Sequence, residues 1–389
     1  VKALMIMMPV MLFYGLNYIF QGILQSRGKY GWPAFVSVPS SLVVIFYVFT
    51  LGDTYGITGL LVATFFGLSL QALILIPPAI AAGFRYKPSF ELKNPDVISA
   101  GKMTLPVLFG VAAYQLNMFF NTTMIARFDG MVTLLNYVQN IVIYMVLAFI
   151  YSVTAVVYPK LTASFTRGDM ADYKTTLAGV LESTAALLVP ITFGFITVRR
   201  PLLELIANYG KITSTDIDRA CMLIVMYSIG ILGVGLKEIL DRAFYAAKNT
   251  MLPAVNGFII MAVNVTLSLV LTRFIGAYGI PLAYSTASLV GLCVLLALLR
   301  RKIGVFAKGL GMTLVKCLVS ALVMAGAVLA VNAGLDAVLV SDSVLTRLIK
   351  LAVPACVGVL VYGVMVLVLR VNAVKPVLAK IKTLVKRGA

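Results

Sequence analysis

Apolar runs of about 20 residues, the length that crosses a bilayer hydrocarbon core, recur from one end of this chain to the other. No other feature constrains its folding so tightly. The runs predict eleven membrane-spanning helices, roughly at 3–25, 33–52, 57–81, 101–124, 131–157, 175–197, 217–244, 251–273, 277–299, 311–333 and 346–369. Only 12% of the residues are charged, about half the share of an ordinary soluble protein, and the mean hydropathy is +1.01. The fold class is therefore an all-α polytopic membrane protein.

A net charge of +18 would fit a nucleic-acid binder, but these charges sit in short loops between spans, where they act as topology signals. Counting alternate loops from 26–32 onward, together with the C-terminal tail, gathers 21 of the 32 Lys and Arg residues. The positive-inside rule makes that set, and the C-terminus, cytoplasmic. The segment 199–219 is then the largest outer loop, and its four basic residues run against the trend. With eleven spans and an inner C-terminus, residue 1 is expected outside.

The chain also repeats itself. Shifted by 220, Gly15 falls on Gly235, Pro33 on Pro253, Ala34 on Ala254, Gly56 on Gly276, Gly59 on Gly279 and Ala63 on Ala283. Identities concentrated at Gly and Pro point to a duplicated backbone. The shift carries the first span onto the seventh, so one unit is six helices and the copies run parallel about an axis normal to the membrane. Spans four to nine form one whole unit, and spans one to three match the second half of a preceding one. On this arithmetic three helices are expected upstream, giving a parent of fourteen spans. The expected divisions are 1–83, half of an N-terminal lobe; 84–303, a six-helix lobe; and 304–389, an appended helix pair and cytoplasmic tail.

Polar groups within spans are costly and mark either packing or a pathway. The stretch Gly230–Pro253 carries Lys237, Glu238, Asp241 and Arg242, two oppositely charged pairs at i,i+4 spacing that can neutralise one another within the helix. Lys237 and Glu238 are candidates for lining or gating a cavity, whereas Lys248 is expected to snorkel to the interface. The repeat matches Lys237 with Asn17 and Asp241 with Gln21, as expected of two lobes that face one cleft. In the fourth and fifth spans, Gln115, Asn117 and Asn121 are followed by Asn136, Gln139 and Asn140. These amides either line a watery cavity or bond helix to helix, and the sequence leaves the two readings even. Asn256 and Asn264 are expected to be packing contacts.

The chain contains no His, and Cys221, Cys293, Cys317 and Cys356 lie in apolar runs without CxxC spacing. They are expected to be packing residues, neither disulfide partners nor metal ligands. No phosphate loop follows a strand, so neither an enzyme nor a bound cofactor is expected.

Several stretches, in order, carry a resemblance: LQSRGKYGWPA (24–34), YGITGLLVAT (55–64), LNYVQN (135–140), YPKLT (158–162), LIANYGKITSTDI (205–217), YSIGILGVGLKEILDRAFYAAKNTMLP (227–253) and GAYGIPLAYS (276–285). With them the chain resembles the MurJ (MviN) lipid II flippases of the MOP exporter superfamily, especially clostridial-type members. The resemblance implies a MATE-like fold of two six-helix lobes plus an extra pair, fourteen helices in all. It further implies a monomeric carrier in the bacterial inner membrane that moves a lipid-linked cell-wall precursor between leaflets by alternating access through a cationic cavity. The last pair would hold the lipid tail. The family's N-terminal cavity arginines fall in helices outside this sequence, and its further basic residue in the LNYVQN motif falls on the neutral Asn140. The competing readings are another MOP exporter, moving a different polyprenyl-linked glycan or a small cation, and a non-transporting membrane scaffold.

Overall fold

The computed structural model describes residues 2–85, 93–207, 213–304, 308–339 and 343–371. Every regular element among them is helical. Twelve are named here: α1 (Val10–Ser26), α2 (Gly31–Thr50), α3 (Gly52–Ala81), α4 (Pro95–Ile125), α5 (Met131–Thr166), α6 (Met170–Ala207), α7 (Ser214–Ser228), α8 (Ile231–Ala246), α9 (Met251–Ile275), α10 (Gly279–Ile303), α11 (Lys308–Val338) and α12 (Val344–Val368). Nine stretches among the described residues are long and apolar enough to cross a membrane, or ten when α7 and α8, bent by 43°, count as one span. One of the nine, Met251–Lys302, contains α9 and α10 packed against each other. Separating them gives eleven crossings, each overlapping one of the expected runs. The expected cytoplasmic tail beyond Val371, and residues 208–212 of the expected outer loop, lie outside the described residues.

The side chains confirm the solvent for which the fold is built. Phe49, Leu12, Phe274 and Val359 are all more than 70% exposed. Scattered over helices of this length, such residues form the apolar surface that hydrocarbon requires and water penalises.

The chain forms two compact units, Val1–Leu92 and Lys93–Ala389. In the first, α3 packs on both α1 and α2. Its turns reproduce those of the second unit at the 220-residue shift. Helix α1 ends at Ser26 and α8 at Ala246, and the next helices begin at Gly31 and Met251. Between them the Lys29 amide bonds the Leu24 carbonyl, as the Asn249 amide bonds that of Phe244, at 2.9 Å in each case. Gly28 (φ 72°) and Lys248 (φ 56°) are left-handed. Gly56 (φ 52°, ψ −141°) and Gly276 (φ 60°, ψ −140°) share a conformation that only glycine adopts freely. The duplication read from Gly and Pro identities is thus a duplication of backbone geometry.

Helix α8 is the centre of the second unit and packs on α5, α6 and α10. Leu236, Ile239, Leu240, Ala243 and Phe244 are all at least 98% buried on it. Gly233 permits the crossing with α10: a Cβ there would lie 2.7 Å from the Ser288 carbonyl carbon. At the α7–α8 bend, the Ser285 hydroxyl donates to the Met226 carbonyl at 2.6 Å, supplying a partner where the helix breaks. The buried Tyr173 hydroxyl ties α6 to α8 by donating to the Ala243 carbonyl at 2.8 Å.

Helices α11 and α12 dock on α6 through its prolines. Pro190 and Pro201 have no N–H, so the carbonyls of Ala186 and Thr197 lose their regular i+4 donors. Tyr362 of α12 donates its hydroxyl to the Ala186 carbonyl at 2.6 Å, and Asn332 of α11 donates its amide to Thr197 at 3.2 Å. In hydrocarbon such replacement partners are what make the prolines tolerable.

Candidate functional site

A cavity of about 660 Å³ opens within the second unit, among α4, α5, α8, α9 and α10. Helical periodicity determines which residues of α8 reach it. Its buried stripe packs on neighbours, while Lys237, Asp241 and Tyr245 form one i,i+4 row toward the cavity and Glu238 and Arg242 form the next. All four charged residues singled out on this helix therefore meet in one cavity wall.

Their charges are matched within the helix. Lys237 Nζ donates to Asp241 Oδ2 at 2.5 Å, and Arg242 Nη2 donates to Glu238 Oε1 at 3.0 Å. The first pair is the more enclosed, with side chains 24% and 9% exposed, against 40% for Arg242 and 18% for Glu238. Asp241 Oδ1 is buried and has no hydrogen-bond partner among the described residues. Two cations and two carboxylates leave this wall neutral, so the cationic cavity implied by the resemblance is not what this unit contributes. The reason lies in the i,i+4 spacing, which gives each cation its own carboxylate.

Five tyrosines complete the lining: Tyr114 on α4, Tyr144 and Tyr151 on α5, Tyr245 on α8 and Tyr284 on α10. The Arg242 guanidinium lies 5.9 Å from the Tyr245 ring centroid, within cation–π range. Helix α5 widens into a π-turn over Asn140–Tyr144, a local rewinding often found beside functional sites, and Tyr144 ends it at the cavity.

The amides divide. Asn264 of α9 donates to Asn117 Oδ1 at 2.6 Å and to Asn121 Oδ1 at 2.8 Å, all three buried, which knots α4 to α9. Gln115 and Asn117 also border the cavity. Asn136, Gln139 and Asn140 are not among its lining residues. Asn136 and Asn140 are exposed, and the Asn140 side chain caps the Asn136 carbonyl at 2.9 Å. Gln139 is buried, with only a 3.6 Å approach to the Met118 sulfur. In the other unit, Gln21 donates to Asn17 at 3.0 Å, and the buried Asn17 donates to Gln71 at 3.2 Å. Asn17 and Gln21 thus form an i,i+4 side-chain bond at the same repeat positions as Lys237 and Asp241. All four cysteines are free thiols.

The family model described as lipid II flippase MurJ matches residues 1–350. The chain belongs to the MurJ family. Curated relatives include the probable lipid II flippase MurJ of Vibrio cholerae, 26% identical over 70% of this chain and 53% of that protein. Another is the lipid II flippase MurJ of Burkholderia cenocepacia, 25% identical over 82% of this chain and 64% of its own length. The chain therefore spans about half to two thirds of the curated relatives it matches. Among solved structures, a lipid II flippase MurJ in an inward closed conformation is similar at a TM-score of 0.73 and 23% identity, over 94% of this chain and 73% of that one. An inward-facing MATE transporter of the MOP superfamily is similar at 0.62 and 13% identity, over 78% and 71%. These likenesses establish the MATE-like MOP transporter fold, as the sequence motifs imply.

Within this MurJ-family cavity, the tyrosines and Ser288 are the polar lining residues that sequence reading passed over. Tyrosines near span ends read as interfacial anchors. One signal was present: Tyr245 continues the row of Lys237 and Asp241 at the same spacing of four. Tyr114, Tyr144 and Tyr284 carry no such signal, because their convergence comes from the packing of separate helices.

Proposed function

We propose that this chain carries the transport activity of its family: movement of a lipid-linked peptidoglycan precursor, lipid II, from the inner to the outer leaflet of the bacterial cytoplasmic membrane. The observation that carries this reading is the family match across residues 1–350, joined to a cavity that brings two ion pairs and five tyrosines together within a bundle of largely apolar helices. The activity is transport, with no covalent chemistry and no bound cofactor. The C-terminus faces the cytoplasm, the unit of function is a monomer, and lipid rather than nucleic acid surrounds it. Alternating access is supported by the states named for proteins of the same fold, one inward closed and one inward-facing.

In this reading Lys237, Glu238, Asp241 and Arg242 meet the substrate headgroup. Asn117 and Asn121 hold the wall in place, and Asn17 and Gln21 do the same in the other unit. Asn136, Gln139 and Asn140 serve the π-turn that positions Tyr144. Divisions at residues 83 and 303 separate the lobes and the appended pair.

Complementation tests the proposal. In a bacterium depleted of its own lipid II flippase, one strain receives this chain, and another receives the Vibrio cholerae relative with its matched region replaced by this chain. Growth restored by either form, and lost with Arg242→Gln, is the expected result. Failure of both forms to restore growth, with both inserted at normal levels, overturns the reading and favours another exported glycan or a scaffold.

A further inference from the structure

The cavity wall poses a physical problem for an anionic headgroup. Lys237 and Arg242 are already neutralised by Asp241 and Glu238, so a diphosphate entering this wall would have to displace a carboxylate to gain a cation. A neutral hydroxyl needs no such displacement, because a carboxylate paired with a cation keeps lone pairs for a further hydrogen bond, and Glu238 is 18% exposed beside the cavity.

We propose that the cavity of this unit is a saccharide subsite, in which the Glu238 carboxylate accepts a hydrogen bond from a sugar hydroxyl or N-acetyl N–H and the lining tyrosines contact the pyranose rings. The proposal rests on the flippase reading and assigns one part of the substrate to one place. A neutral polyol needs acceptors, donors and aromatic surface in a site of no net charge, and all three occur here. The partly exposed Glu238 supplies an acceptor. Gln115, Ser288 and the tyrosine hydroxyls supply donors. Tyr114, Tyr144, Tyr151, Tyr245 and Tyr284 supply aromatic surface, of the kind that suits the C–H groups of a sugar. The volume of about 660 Å³ lies within the range of roughly 300–1,000 Å³ typical of small-ligand sites. An aromatic wall with carboxylates also suits an organic cation, but Lys237 and Arg242 stand in the same wall and repel one. The diphosphate belongs elsewhere, at groups outside this wall.

The test uses the whole chain in detergent micelles and three probes: N,N′-diacetylchitobiose, inorganic pyrophosphate and tetraphenylphosphonium. Saturation-transfer NMR reads binding. The disaccharide is expected to bind at millimolar concentration, and neither charged probe is expected to displace it. Glu238→Leu combined with Arg242→Leu removes the acceptor without stranding a guanidinium, and should weaken disaccharide binding about tenfold. Tyr245→Leu leaves both ion pairs in place and should weaken it as well, which keeps the test decisive if the double variant does not fold. Displacement by pyrophosphate or by tetraphenylphosphonium overturns the subsite, and so does disaccharide binding that neither variant weakens. The two proposals fail separately. Rescue of growth without disaccharide binding removes the subsite and leaves the flippase. Binding without rescue leaves the subsite and removes the transport reading.

Discussion

At the scale of single residues, the two ion pairs of α8 look alike in sequence but differ in surroundings. Asp241 is almost fully buried, whereas Arg242 is 40% exposed. Removing one member of an enclosed pair leaves an unmatched charge, at a cost of about 3 kcal/mol. An exposed pair contributes less than about 1 kcal/mol. Asp241→Leu should therefore lower the stability of the chain in mixed micelles by about 3 kcal/mol, with most of it recovered in Lys237→Leu/Asp241→Leu, whereas Glu238→Leu should cost under about 1 kcal/mol. Thermal or denaturant unfolding of the three variants checks this, and equal losses for the two carboxylates would refute it. Lys248 gives a second case. It holds φ 56° where its repeat counterpart Gly28 holds φ 72°. A lysine Cβ is strained in that region and glycine is not, so Lys248→Gly should stabilise the chain by about 1 kcal/mol, read as a higher unfolding midpoint. Sequence placed Lys248 at an interface but not in a left-handed turn, although the 220-residue shift had already set it opposite a glycine.

At the scale of elements, the spans were legible because a helix in hydrocarbon must be apolar over its whole length, and a run of that kind is visible without knowledge of its neighbours. The site was half legible for the same reason. The α8 charges fall at a spacing that one helix decides, so their common wall followed from the sequence. The choice for Asn117 and Asn121 depended on what lies opposite, and only the structure brings Asn264 to them. The docking of α11 and α12 was hidden likewise. Each proline of α6 announces a carbonyl without its regular donor, yet nothing in the sequence says that Tyr362 and Asn332 supply the replacement. A double-mutant cycle measures this. Tyr362→Phe alone removes the donor from the Ala186 carbonyl and should cost about 1–3 kcal/mol. In a Pro190→Ala background the helix supplies its own N–H, and the same change should cost less than about 0.5 kcal/mol. A penalty unchanged by Pro190→Ala would mean that the hydroxyl stabilises something other than the proline gap.

At the scale of the whole molecule, the repeat and the charge pattern make one joint claim about the membrane. From the end of α1 to the end of α8 the chain makes six crossings, counting the bent α7–α8 pair as one. An even number returns a chain to the side it left, so the two left-handed turns, at Gly28 and Lys248, should face the same solution. The two turns also share their hydrogen bonding, as expected if each closes an equivalent helix pair. The positive-inside rule names the side: Arg27, Lys29 and Lys248 belong to the basic set and should be cytoplasmic. Arg127, in the turn between α4 and α5, belongs to the opposite set. Replacing the four native cysteines with serine or alanine gives a background for single cysteines at positions 28, 127 and 248. A membrane-impermeant maleimide applied to intact spheroplasts should modify position 127 alone, and on inverted vesicles it should modify 28 and 248. Modification of 28 and 248 from opposite sides would break the parity, and with it the parallel repeat. Modification of both from outside would keep the repeat and reverse the orientation, placing the basic loops on the side that the positive-inside rule forbids.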